Sequence, residues 1–271
     1  MKHTNKHQLL AFASAILFHS TLHAQTATPL KGVVGDLPKG IIQVIDFESG
    51  DFSQASVKEG GKKEVVSDPV RKGKHALMVQ LTKDQKRTEI GCQRSEKLGE
   101  FKYGWSVFIP KEFDADSWFT IVSQWHDYGS GKQYIEDNGP PTHLYIAKSN
   151  WRFKLRFQDG ATNNTAKQEW SLGPIEECRG KWTDFVMEAN WQSPQTGGGY
   201  MRLYMNGKEV IKYEGPTWYD GKTAGPYFKV GMYRGKANWK GEEDKSILYY
   251  DELRMGGAKT TKDEVDPAKQ K

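Results

Sequence analysis

Residues 151–158, Trp-Arg-Phe-Lys-Leu-Arg-Phe-Gln, alternate without a break between apolar and polar side chains. A repeat of two is that of a β-strand and cannot be reconciled with the 3.6-residue repeat of a helix. Trp151, Phe153, Leu155 and Phe157 then share one apolar face, while Arg152, Lys154, Arg156 and Gln158 make a cationic stripe on the other. The apolar face has to be covered by a second layer, so this stretch commits the chain to a sheet buried on one side. Similar alternations recur from Ile41 onward, punctuated by Gly, Asp, Asn and Pro at the spacing of a β-sandwich.

Strands are expected over 41–47, 75–81, 104–109, 118–125, 143–147, 151–158, 183–190, 200–205, 209–214, 227–233 and 246–255. Asn206-Gly207 predicts a two-residue hairpin, because this pair accepts the positive φ angles of a type I′ turn. No segment carries an amphipathic helical period over three turns. The residues therefore predict an all-β fold, an antiparallel two-sheet sandwich forming one domain over 41–256.

The flanks read differently. Residues 1–24 combine Lys2 and Lys6 with an apolar run from Leu9 to Phe18, the pattern of a signal peptide for export to the periplasm or outside the cell. Residues 25–40 read as a linker, and 257–271 as a charged tail expected to fray. Removal of the leader takes two lysines and no acid, lowering the net charge from +5 to +3. It also leaves His75, His126 and His143 as the remaining histidines. No basic cluster or reading motif suggests nucleic acid, no later stretch suggests a membrane anchor, and a monomer is expected. Cys92 and Cys178 are disulfide candidates in an oxidising compartment. No spacing of Cys, His or acidic residues marks a metal site, and a structural calcium, though compatible with the chain, is not indicated.

Three stretches carry candidate chemistry. In 226–234 a strand puts Tyr227, Lys229, Gly231 and Tyr233 on one face, the glycine leaving room for a ligand to lie across it. Gln124 and His126 share a face two residues apart, with Thr120 and Val122 expected to precede them on it. An amide donor beside an imidazole suits an anionic substrate from which a proton must move. Arg87 and Glu89 form a third pair, an arginine fork steadied by a carboxylate. Each has a bland alternative: an edge strand, a turn-capping histidine, a surface ion pair. The stripe of Arg152, Lys154 and Arg156 suits either a solvated face or an anion-binding groove; its lack of an interspersed acid favours the groove. Trp218, Tyr219 and Trp239, in Gly-rich loops, are candidates for stacking on sugars, and loops 128–141 and 218–225 for shaping the groove.

Arg87-Thr88-Glu89, Gln124-Trp125-His126 and Tyr227-Phe228-Lys229-Val230-Gly231-Met232-Tyr233 resemble, in order, the R-[ST]-E, Q-x-H and Y-x-K-x-G-x-Y blocks of the jelly-roll polysaccharide lyases. Further stretches, among them Trp105–Pro110, Tyr204–Gly207 and Tyr250–Arg254, are similar to the heparin lyase I and glucuronan lyase branch. Ile90-Gly91 departs from the alginate-lyase pattern, which places alginate third as substrate, after glucuronan and heparin or heparan sulfate. The resemblance implies a concanavalin-like β-jelly roll that cleaves an anionic polysaccharide by β-elimination, with no cofactor required. It implies that Gln124 and Arg87 bind the uronate carboxylate and that His126 is a base or neutralises charge. It further implies that Tyr233 is the acid, and for one stereochemistry also the base, with Lys229 holding its phenolate. Glu89, Tyr227, Arg152, Lys154, Arg156 and Arg234 join the substrate-binding set. Two alternatives stay open at this level. A non-catalytic carbohydrate-binding module would not need Gln124, His126, Lys229 and Tyr233 together. A glycoside hydrolase needs paired carboxylates, and no E-x-D-x-x-E strand is present.

Overall fold

A computed structural model describes residues 37, 39–92, 98–114, 119–127, 140–159, 165–234 and 244–270. Its strands are β1 (Ile41–Ile45), β2 (Val57–Gly60), β3 (Lys62–Val66), β4 (Ala76–Thr82), β5 (Arg87–Gly91), β6 (Gly99–Phe108), β7 (Thr120–His126) and β8 (Thr142–Ala147). They continue as β9 (Asn150–Gln158), β10 (Thr165–Pro174), β11 (Trp182–Trp191), β12 (Tyr200–Met205), β13 (Lys208–Glu214), β14 (Tyr227–Tyr233) and β15 (Lys245–Gly257). One sheet runs β13-β12-β11-β6-β15-β4-β3, with β1 also pairing β15; the other runs β10-β9-β8-β7-β14-β5-β2. The long β15 manages both neighbours on one edge by pairing β4 through Lys245–Tyr250 and β1 through Leu253–Gly256. Asn206 and Gly207 both take positive φ, as the hairpin between β12 and β13 requires.

The alternation on β9 is realised: Trp151, Phe153, Leu155 and Phe157 are buried while the residues between them are half-exposed. The two sheets meet over interlocked rings. Trp125 stacks on Phe228 at 4.9 Å, and Trp105 packs on Phe228 and on Phe185 at 5.1 and 5.3 Å. A fully buried side chain of this size stabilises by roughly 2–3 kcal/mol, and each ring pair adds about 1 kcal/mol. Trp125 lies between Gln124 and His126, and Phe228 between Tyr227 and Lys229. The same alternation that anchors these strands thus points the candidate residues the opposite way.

Several expectations are corrected. β2, β3 and β10 fall outside the expected strands, whereas β5 realises the strand expected for the Arg87/Glu89 pair. β2, β3 and β10 lie at or next to sheet edges, where Lys58, Glu59, Lys62, Lys63 and Glu64 make the sequence read as loop. The charged tail does not fray. Thr261 caps a short helix α1 (Lys262–Val265) in a reciprocal capping box, and Val265 is fully buried. Gly104 accepts this contact because a Cβ there would sit 1.7 Å from the Val265 carbonyl oxygen.

Cys92 and Cys178 are free thiols, both buried. Cys92 follows β5 and its N–H bonds Phe228 on β14, whereas Cys178 accepts from the Trp151 indole on β9 at 3.4 Å. Four strand steps separate β5 from β9, roughly 15–20 Å and far beyond disulfide reach. Trp218 and Tyr219 belong to the core rather than to a groove, with relative exposures of 0% and 4%. Trp239 and loop residues 128–139 lie outside the described residues. Among the described residues no helix is long and apolar enough to cross a membrane.

Candidate active site

The three sequence blocks converge on three adjacent strands, β7, β14 and β5. Tyr227 lies opposite His126 and Lys229 opposite Gln124 on one side of β14; Gly231 lies opposite Glu89 and Tyr233 opposite Arg87 on the other. The residues form one patch on the sheet face turned away from the core.

The expected parity of β7 fails at one point. Pairing with both β8 and β14 shifts register around Ile121–Ser123, so Ile121 joins Tyr233 and Tyr145 on the outer face while Val122 enters the core. This is a β-bulge, in which an extra residue reverses the facing of everything before it. Tyr250, reaching across from β15, supports it from within. Its hydroxyl lies 2.8 Å from the carbonyl oxygens of both Val122 and Gly231 and shares its single hydrogen between these two acceptors. Gly231 is tied to the same irregularity. Its φ is +134°, and a Cβ would meet the Thr88 carbonyl oxygen at 2.2 Å. The space it frees is therefore filled by the β5 backbone, not by a ligand as the sequence suggested.

Lys229 is also corrected. Its side chain is fully buried, with Nζ 3.1 Å from Glu59 and 3.4 Å from Glu89, and 5.4 Å from the Tyr227 ring centroid. The cation found against Tyr233 is Arg87, whose guanidinium lies over the Tyr233 ring at 5.0 Å. Glu59 and Glu89 are directly opposite each other in the β2–β5 register, an arrangement that destabilises unless cations bridge it. Lys229 and Arg87 are those cations, with Arg87 bonded to Glu59 at 2.9 Å. Burial opposes ionisation of Glu59, but the hydrogen bonds and charges of Arg87 and Lys229 prevail and lower its pKa. Glu89 is deeper, and burial pushes its carboxyl up despite Lys229 and Gln124. Its oxygens are taken by the Gln124 amide, Lys229 and Arg87, so it positions these groups rather than binding substrate.

His126 is half-buried and stays on the open face. Burial first, then the positive charges of Lys229 and Arg87, lower its pKa to about 4, so it is neutral near pH 7. Nδ1 lies 2.7 Å from the Asp127 carbonyl oxygen, which can only accept. The proton is thereby assigned to Nδ1, and Nε2 keeps its lone pair for a ligand. Tyr227 packs its ring 5.6 Å from that of His126 and is largely buried. Gln124 is buried too, at 2% exposure, with one amide hydrogen given to Glu89.

Arg234 leaves the substrate-binding set. It is fully buried, donating from Nε to Thr120 at 2.7 Å and pairing with Asp114 at 3.4 Å. Arg152 and Lys154 do lie on the open face, yet Glu169 from β10 pairs with both at 3.1 Å, supplying the acid that β9 lacks. Arg156 is half-exposed in the same row, and burial pushes its guanidinium pKa down. Glu59 and Glu169 were missed because they come from edge strands whose charges look solvated. His143 was missed as well: it lies opposite Gln124 on β8 and is buried, with its pKa lowered to about 3 by burial and the nearby Arg156 and Lys154. The signal available was its placement two residues before Tyr145, on the same strand face. Among the described residues, no three His, Cys, Asp or Glu side chains gather as a metal site would need.

The sandwich is shared with several solved structures. An endo-β-1,4-glucuronan lyase from the fungus Trichoderma reesei superposes with a TM-score of 0.72 at 19% identity, over 85% of this chain and 100% of that one. An alginate lyase from a Chlorella virus superposes at 0.57 and 12% identity, over 80% of this chain and 99% of that one. The type G botulinum neurotoxin receptor-binding domain also matches, at 0.52 and 11% identity over 83% and 50%, so fold alone does not decide activity. No curated protein matches the sequence. The profile of the polysaccharide lyase family matches residues 47–254, and the chain belongs to that family, the carbon–oxygen lyases acting on polysaccharides.

Proposed function

We propose that the protein is an exported lyase that cleaves a uronate polymer by β-elimination, with glucuronan as first substrate, heparin or heparan sulfate second and alginate third. The observation that carries this reading is the pairing of two unlike groups on one open face. His126 keeps a neutral, unprotonated Nε2, and Tyr233 offers a phenol beneath the Arg87 guanidinium.

The chemistry follows from these roles. Arg87 and the second amide hydrogen of Gln124 meet the uronate carboxylate, easing charge build-up when C5 loses its proton. His126 Nε2 takes that proton, because in this tautomer it accepts and cannot donate toward the groove. The electron pair left at C5 forms the C4–C5 double bond, the C4–O4 bond breaks, and Tyr233 protonates O4. Solvent then returns a proton to Tyr233 as His126 gives its own up. Both groups rise from one sheet face and reach the sugar from one side, which matches a glucuronate, whose H5 and O4 share a side. Lys229, Glu59 and Glu89 act through Arg87 and Gln124. The glucuronan lyase fold likeness agrees with glucuronan as the first choice.

The test is absorbance of the conjugated unsaturated uronate on incubation with glucuronan, heparin, heparan sulfate and alginate. Glucuronan is expected to give the fastest rise, abolished in Tyr233→Phe and reduced at least about a hundredfold in His126→Ala. Binding without any rise would favour a carbohydrate-binding module; new reducing ends without absorbance would favour hydrolysis.

A further inference from the structure

Beside the candidate catalytic patch the outer face deepens into a cavity of about 460 Å³, a size suited to a sugar-scale ligand. Phe119, Tyr145 and Ala147 form its apolar part, the two rings 5.0 Å apart. These three belong, with Ile121 and Tyr233, to one small apolar cluster, so the cavity wall is continuous with the proposed acid. A polymer lying over Tyr233 would place a neighbouring sugar here.

The charged wall of this cavity is organised around one carboxylate. Glu169 Oε1 accepts from the Tyr145 hydroxyl at 2.6 Å and from Arg152 at 3.1 Å, and Oε2 pairs with Lys154 at 3.1 Å. Both oxygens are engaged, and both cations of the wall already face an anion. Lys148, at the rim, is different: it is exposed and has no carboxylate partner among the described residues. It sits in the turn between β8 and β9, where Lys148 and Ser149 take φ of 50° and 57°. That is the conformation a two-residue hairpin between Ala147 and Asn150 requires, and it holds Lys148 at the rim.

We propose that Glu169 is a specificity-determining residue: its one carboxylate, shared between Arg152 and Lys154, lowers the positive charge of this cavity and biases it toward an unsulfated sugar over a sulfated one. The proposal rests on the reading of the protein as a uronate-polymer lyase and names what that site selects. A uronate has one carboxylate, which Lys148 can meet at the rim. A sulfated sugar adds anionic groups that would have to approach Arg152 or Lys154 within reach of the Glu169 carboxylate, whose repulsion offsets part of what the two cations offer.

The experiment measures affinity of the full-length protein and of Glu169→Gln for size-matched glucuronan and heparin oligosaccharides by calorimetry. The glutamine keeps an acceptor for Tyr145 while removing the charge. The ratio of heparin to glucuronan affinity is expected to rise about tenfold in the variant. A ratio that stays within about twofold, whether or not both affinities change, overturns the proposal. Phe119→Ala tests the location independently: unchanged glucuronan affinity would show that no sugar sits in the cavity. A wild-type protein that binds glucuronan yet releases no unsaturated uronate would defeat the lyase reading while leaving these binding ratios interpretable.

Discussion

Lys229→Met removes the one ammonium that separates two opposed carboxylates while keeping most of the side-chain volume. Lys229 is completely buried, and its two partners differ: the Glu89 side chain is 2% exposed and that of Glu59 32%. Loss of one partner of a buried ion pair costs about 3–5 kcal/mol, whereas a solvent-screened contact contributes about 0–1 kcal/mol. Nearly all of the penalty should therefore come from Glu89, giving a loss of ~3 kcal/mol at neutral pH. The loss should depend on pH with a definite sign. The folded-state pKa of Glu89 is raised above its ordinary value of 4.5, so its ionisation already opposes folding, and removing Lys229 makes that worse. The difference between variant and wild type should accordingly be largest above the folded pKa and shrink as pH falls through it, so that it is already small at pH 4.5, where Glu89 holds its proton in the folded state. Urea unfolding of both proteins across this range measures it. A loss under about 1 kcal/mol at neutral pH, or one that does not shrink on acidification, would refute the ion-pair argument. It would return Lys229 to the role expected from sequence, a hold on Tyr233.

Gly231→Ala should destabilise by more than ~2 kcal/mol, because the new Cβ meets β5 backbone at 2.2 Å and the residue must keep φ +134°; a melting temperature within about 2 °C of wild type would contradict this. The His126 ring should titrate near pH 4 by NMR, and the acidic limb of kcat/KM should follow it. Because folding favours the neutral imidazole, this residue's contribution to stability should also decline as pH falls below its ordinary 6.5 toward 4. A ring titrating at 6.5 would show that burial and the neighbouring cations do not act as described.

What could be read along the chain was whatever depends on near neighbours. Trp151–Gln158 announced a half-buried strand because alternation is a local property, and Asn206-Gly207 announced its hairpin for the same reason. The pairs Gln124/His126 and Arg87/Glu89 were likewise placed on common faces by spacing two residues apart. The bulge at Ile121–Ser123 was not, because it arises from pairing with β8 and β14 and is braced by Tyr250 from the other sheet. Partners across strands were equally hidden. The acids that take Lys229 and Arg152 come from β2 and β10, one of them 170 residues away in sequence, and nothing in a linear pattern marks which charge will meet which. Parity along a strand is set by the geometry of successive Cα atoms, so residue types and their spacing suffice to state it. Charge pairing, proton affinity and the space beside a glycine depend on which strands lie side by side, and those belong to the folded sandwich.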